Sequence, residues 1–343
     1  MTTGQPTAGR INQERPGGRQ LRAALPIVAP FLTLLALGIF FSVTTTTFFN
    51  PVNLNNILVQ VSTLAILATG MTFVLLTGEI DLSIAAMVTL SGVLSAHLFA
   101  NLGLREPFTT AIPLGVATLL GLISGIASTK FRIPSFMSTL AMSLVASGLA
   151  IGISQGRIVF EYSDVLRTLG SGRLFNEPAN IRVLTVVAAI CLLIGFLVLR
   201  YTRFGRFVYM TGANKGAARL AGVDTDAIVI ACLTICGFTA GLAGLATVGR
   251  LASAQPQVIN SFLIDTIGAV VLGGTSLAGG RGGMFQTLAG LLIYGALRNG
   301  LDNIPALQVG AGTFFKEFIT GIVLLVALVV NVLLGGRASR DKT

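Results

Sequence analysis

Two carboxylates lie two residues apart in "FVLLTGEIDLSIAAM", and Glu79 and Asp81 are the only charged side chains between Arg22 and Arg105. Acids in such apolar company have two chemistries open to them. Near the midplane of a bilayer, a carboxylate can carry a proton or a cation. Just ahead of a helix, it can accept hydrogen bonds from the free N–H groups of the first turn and meet the positive end of the dipole. Each of those effects is worth about 0.5–2 kcal/mol. Ser83 is placed to assist Asp81 in the second role. The choice depends on where the surrounding elements lie.

Those elements are set by composition. A chain of 343 residues that is 53% hydrophobic and 10% charged, with a mean hydropathy of +0.84, cannot be a soluble globule. A bilayer core about 30 Å thick needs roughly 20 apolar residues per helix. Such runs recur at 25–46, 57–77, 81–100, 108–128, 134–153, 181–200, 226–247, 262–278, 284–301 and 313–334. The expected fold is an all-α, polytopic membrane protein of about ten transmembrane helices. The eighth run, rich in glycine, is the weakest, and it is suited to break or re-enter as well as to cross.

With the N-terminus inside, ten spans leave 1–24, 129–133, 201–224, 279–283 and 335–343 in the cytoplasm. With Arg200, these hold 15 of the 23 lysines and arginines, so the positive-inside rule supports cytoplasmic N- and C-termini. The formal net charge of +10 then reflects topology and attraction to anionic lipid, not nucleic-acid binding. Residues 1–24 read as a disordered basic cytoplasmic tail, 25–334 as the transmembrane domain with a cytoplasmic loop at 201–224, and 335–343 as a second tail. The first apolar run reads as a signal anchor. Glu79 and Asp81 fall at the cytoplasmic start of the third span, with Asp81 at a helix start and Glu79 in a solvated turn.

Catalysis has little to stand on. None of Lys130, Lys215, Lys316 and Lys342 completes a P-loop, and there is no H-E-x-x-H, C-x-x-C or G-x-S-x-G. Cys191, Cys232 and Cys236 fall within spans and read as small packing residues, so no metal site is expected. His97 reads as a packing or interfacial residue.

Small residues are abundant. Gly121 with Gly125, and Gly237 with Gly241, have the G-x-x-x-G spacing that lets helices approach closely in lipid, and packing within one subunit is the plain reading. The stretches around them, "LGVATLLGLISGIAS" and "LTICGFTAGLAGLAT", resemble each other. The loop "YTRFGRFVYMTGANKGAARLAGVD" (201–224) is helix-permissive from Lys215 to Ala221. A short helix between two spans suits contact with a cytoplasmic partner, whereas composition alone favours an ordinary amphipathic connector.

Three motifs, "GMTFVLLTGEIDLSIAAMVTLSG" (70–92), "TGANKGAARLAGV" (211–223) and "AVVLGGTSLAGGRGG" (269–283), occur in the order and spacing of a known family. The chain resembles the ribose-type permease family of ABC sugar importers over nearly all residues after 25. The resemblance implies a multi-pass subunit of the bacterial inner membrane. Its partners would be a second permease copy in a homodimer, an ABC ATPase subunit and an extracytoplasmic sugar-binding protein. ATP and Mg would sit on the ATPase, with no cofactor in this chain.

It further implies that Gly212, Asn214, Lys215, Ala217, Ala218, Arg219 and Gly222 form the ATPase-coupling loop, matching an E-A-A-x-x-x-G pattern at Ala217, Ala218 and Gly222. Gly216 stands where that pattern carries an acid, so the contact would rest on shape plus Lys215 and Arg219. Asp81, Leu82 and Ser83 match the family motif, whereas Glu79 replaces a glycine. A branched-chain amino-acid ABC permease is the nearest rival in substrate. An ion-coupled secondary transporter using Glu79 or Asp81 is the rival in mechanism, and it needs an acid near the midplane.

Gln60, Ser62, Thr63, Thr72, Asn299 and Gln308 are polar groups in or near spans, able to line a weak, transient path or to bond between helices. The outer segment 154–180 carries Arg157, Arg167 and Arg173 beside Glu161, Asp164 and Glu177, a candidate surface for the binding protein.

Overall fold

The computed structural model describes residues 16–174 and 181–304, then 312, 314–323, 325–326 and 329 of a last helical stretch; for 16–29 it describes the backbone alone. Residues 1–15 of the expected tail, Glu177, Gln308 and the tail 335–343 lie outside the described residues.

The described chain is helical, with two isolated bridges, Val159 with Ala254 and Arg173 with Arg182. In chain order the helices are α1 (Pro16–Thr44), α2 (Pro51–Leu76), α3 (Ile84–Ala100), α4 (Phe108–Lys130), α5 (Ser135–Ser154) and α6 (Asp164–Ser171). They continue as α7 (Val183–Tyr201), α8 (Arg203–Ala213), α9 (Lys215–Leu220), α10 (Thr225–Leu251), α11 (Ser261–Leu272) and α12 (Met284–Asp302). Five of them, α2, α4, α5, α7 and α10, are long and apolar enough to cross a membrane. The protein is a multi-pass membrane protein.

The eighth apolar run behaves differently from a full span. Helix α11 stops at Leu272, because Gly273 caps it and Gly274 takes φ +107°, a conformation that costs other residues strain. Helix α1 begins at Pro16, ahead of the expected start at 25, and so takes in residues expected in the tail.

Two helices form the core. The most apolar window of α2 is 83% buried, against 22% for α5 and α7, whose outer faces carry exposed leucines, isoleucines and phenylalanines suited to lipid. Helix α10 lies against α2, α3, α4 and α6. Glycine permits this: a Cβ at Gly237 would stand 2.5 Å from the Ala117 carbonyl oxygen and 3.1 Å from the Gly121 Cα, and one at Gly121 would stand 2.5 Å from the Leu233 oxygen. The two similar stretches of sequence thus pack on each other, antiparallel, inside one subunit.

The bundle has two ends. One gathers residues 77–83, 131–134, 202–224 and 273–283, and is called here the Glu79 end. The opposite end gathers the α3–α4 and α5–α7 connections. There Ser163, the N-cap of α6, donates to Glu106 Oε1 at 2.6 Å, and Thr110 donates to Oε2 at 2.5 Å. Burial works to raise the Glu106 carboxyl, but these hydroxyls outweigh it and hold the group below its ordinary value. A depressed carboxylate contributes stability above pH 4.5, the ordinary value, and loses it as pH falls through the folded value. Glu106→Gln is therefore expected to melt with a shallower acid dependence below about pH 4.5 than the parent does, read by thermal unfolding in detergent; parallel curves would refute the link.

Candidate functional site

The site is built from the α2–α3 turn outward. Residues 77–83 are irregular backbone, and irregular backbone at the end of a bundle must find partners for its N–H groups. Helix α5 supplies them: Ile80 N donates to Ser135 Oγ at 3.1 Å and Leu82 N to Thr139 Oγ1 at 3.0 Å. Asp81 is fully buried. Its Oδ1 accepts from Ser83 N at 2.8 Å and Ser83 Oγ at 2.5 Å, which closes the turn just before α3. The expected cap is thereby corrected in detail, since Asp81 bonds the residue ahead of the helix and no side chain caps the first-turn N–H groups of α3.

Glu79 is a second correction. In place of a solvated turn residue, it accepts from Lys215 Nζ at 3.0 Å, linking the turn to α9. Arg219 is bound as well, to Asp226 Oδ1 at 2.6 Å and Thr225 Oγ1 at 2.8 Å. The two cations expected to reach a partner are engaged by their own chain, along a polar groove of about 440 Å³ shared with Ser128, Arg132 and Ser135.

Helices α8 and α9 meet at Asn214, whose extended backbone ends one and whose side chain caps the other, accepting from Ala217 N at 2.9 Å. The exit is also closed: Gly222 N donates to Arg219 O at 2.9 Å and Val223 N to Ala218 O at 3.0 Å, with Gly222 at φ +82°. That is a Schellman turn, and it requires the left-handed residue that Gly222 provides. Ala218 is buried in the core beneath α9, so it anchors the element instead of facing outward. Gly216, Ala217 and Arg219 are exposed, Lys215 half so, and Gly212 faces Leu76 and Gly280 so closely that no side chain fits. Leu220, passed over in the sequence, is 93% exposed. An aliphatic side chain at the tip of a polar loop was the available signal. Tyr209 was missed too: its hydroxyl donates to Gly282 O at 2.9 Å. Burial pushes that phenol up against the opposing field of Arg200, so it stays a neutral donor.

Among the described residues, the expected path positions make contacts between and along helices. Thr72 Oγ1 lies 2.7 Å from Thr287 Oγ1, Ser62 Oγ donates to Thr185 Oγ1 at 3.2 Å, and Asn299 Oδ1 accepts from Asn53 and Asn303. Each bonds between or along helices; Thr63 is buried, and Gln60 is exposed on α2. Arg157, Arg167 and Arg173 are all exposed on the α5–α7 connection, with Arg167 3.7 Å from Asp164.

A charged cluster that the sequence reading did not single out lies at the end opposite Glu79. Arg298 donates to Asp265 Oδ2 at 3.1 Å and to Tyr294 Oη at 2.8 Å, and stands 3.6 Å from Glu317. Lys316 pairs with Asp302 at 2.8 Å, and with Thr320 these residues bound a cavity of about 200 Å³. Among the described residues no three His, Cys, Asp or Glu side chains gather as metal ligands.

Residues 53–328 match the family model described as "Branched-chain amino acid transport system / permease component". The ribose import permease protein RbsC of Escherichia coli K12 is 36% identical over 304 residues, 88% of this chain and 92% of that protein. RbsC of Bacillus subtilis is 35% identical over 89% of this chain and 92% of its own. The fructose import permease protein FrcC of Rhizobium meliloti is 31% identical over 90% and 85%. No solved structure matches the chain. With four fifths of its residues inside one family model and 88% of its length aligned with RbsC at 36% identity, the chain belongs to the branched-chain amino acid transport system permease component family.

Proposed function

We propose that the protein is the membrane-spanning permease subunit of an ABC importer for a monosaccharide or related polyol. It crosses a bacterial inner membrane ten times, with both termini in the cytoplasm. Nucleotide and Mg belong on a separate ATPase, a second permease copy completes the pathway, and an extracytoplasmic sugar-binding protein delivers substrate to the face bearing Arg157, Arg167 and Arg173. The observation that carries the reading is similarity over about nine tenths of the chain to ribose and fructose import permeases.

The mechanism follows from placement. The Glu79 end is the cytoplasmic end, where the positive-inside rule puts residues 202–224. There α8 and α9 form the coupling element, closed by Asn214 and Gly222 and strapped by Lys215 to Glu79 and by Arg219 to Asp226. With those cations engaged, docking rests on shape and on Leu220. Glu79 in an ion pair at a bundle end is poorly placed as an ion carrier, which favours ATP coupling over ion coupling. Gln60, exposed on α2, is a path residue open to water or to the second copy.

Uptake by the protein reconstituted with ATPase and binding protein in liposomes tests this. Labelled ribose or fructose should accumulate only with ATP inside the reach of the ATPase. Uptake driven by a proton gradient without ATPase would overturn the reading, and accumulation of leucine alone would move it to amino acids. Leu220→Asp should lower ATPase co-purification about tenfold or more, because burying a leucine is worth about 1.5–3 kcal/mol. Its melting temperature should match the parent, since that side chain touches little of its own subunit.

A further inference from the structure

The motif "AVVLGGTSLAGGRGG" is absorbed by none of the roles above. Its loop, residues 273–283, leaves α11 and enters α12 at the Glu79 end. There it lies between the end of α2 and the coupling element. Gly280 N donates to Leu76 O at 2.9 Å, and a Cβ on Gly280 would stand 2.8 Å from both N and Cα of Ala213. One on Gly279 would stand 3.0 Å from the Gly212 Cα. Tyr209, on α8, donates to Gly282 O. The loop therefore touches α8 backbone to backbone and by one hydroxyl.

Flexible residues do not make this loop slack. Ser276 N donates to Arg281 O at 3.0 Å, which closes the loop on itself. Beyond it, α11 and α12 pack with backbone in contact: a Cβ on Gly273 would strike Gln286 O, and one on Gly290 would strike Ala269 O. The pair is thus one stiff hairpin, since close-packed backbones have no room to slide independently. Its far end holds the ion pair of Asp265 with Arg298.

We infer that residues 273–283 are a latch through which α8 moves the α11–α12 hairpin, with Tyr209 as the positioning residue that fastens it. The inference rests on the importer reading, in which α8 and α9 meet the ATPase. Movement of the coupling element then has two routes into the bundle: directly through the spans α7 and α10, and through the latch to the hairpin, whose Asp265 and Arg298 border the opposite face. The glycines at 212, 279 and 280 are required because any side chain there would hold the two backbones apart.

Tyr209→Phe tests the latch by removing one hydroxyl while keeping the ring. In liposomes with the complete transporter, the sugar moved per ATP hydrolysed should fall at least about threefold with ATPase co-purification unchanged; an unchanged ratio would overturn the latch. Gly280→Ala should do the same. A second measurement, hydrogen–deuterium exchange of the permease alone, stands whether or not transport is seen. Tyr209→Phe should speed exchange in 276–283 and also in the last turn of α11 and first turn of α12. Faster exchange confined to α8 would refute the inference, whereas absence of ATP-dependent uptake by the parent would refute only the importer reading.

Discussion

Gly237→Leu is expected to leave no monodisperse protein after detergent extraction. A single added Cβ at this position already stands 2.5 Å from the Ala117 oxygen, and the rest of a leucine would have to occupy the α4 backbone. Overpacking of a close-packed interior costs about 1–3 kcal/mol where side chains can shift. Here backbone must move, so the cost should exceed about 3 kcal/mol and part α4 from α10 along their whole contact. Gly237→Ala should be milder, and Gly148→Ala, at a site with open space, should be neutral. Size-exclusion profiles and melting curves of the three variants check the series. A well-folded Gly237→Leu protein would contradict the packing described.

The second large effect concerns Arg298. Arg298→Ala would leave the Asp265 carboxylate, whose side chain is 12% exposed, and the Tyr294 hydroxyl without the cation they share. Stranding a buried charge costs about 3–5 kcal/mol. The guanidinium itself is 42% exposed, so water offsets part of this and about 2 kcal/mol is expected. That should lower the melting temperature by about 3 °C. The double variant Arg298→Gln with Asp265→Asn removes both charges and should recover most of the loss. Equal stability of Arg298→Ala and the parent would show that the pair carries no structural weight.

Sequence was most informative where physics acts locally. The starts and ends of α4, α5, α7 and α12 lie within a few residues of the expected spans, because bilayer thickness sets a length that apolar runs must meet. The turn after α9 was also legible, since Gly222 is the type of residue a left-handed helix exit needs. Long-range pairing was not. Glu79 and Lys215 stand 136 residues apart, and nothing in either neighbourhood marks the other as its partner. Ala218 could not be assigned a direction, because a six-residue helix has too few apolar positions to define a face. Thr72 and Asn299 looked equally fit for water or for a neighbouring helix, and their bonds to Thr287 and Asn53 come from the packing of α2 on α12, which no local pattern announces. Asp265 and Arg298 sat singly in two apolar runs, each unremarkable until the hairpin brought them together.

The closed form of α9 has a thermodynamic consequence. Fixing a residue's backbone costs about 1–2 kcal/mol in conformational entropy, and a loop that folded only on meeting a partner would lose that from its affinity. With Asn214 at one end, the Schellman turn at the other and Ala218 held beneath, the six residues of α9 are ordered before any encounter. Association with the proposed ATPase should therefore show little of the heat-capacity change that accompanies coupled folding. If α9 meets an ATPase, as proposed, the exposed Leu220 can contribute its apolar surface without a further ordering cost.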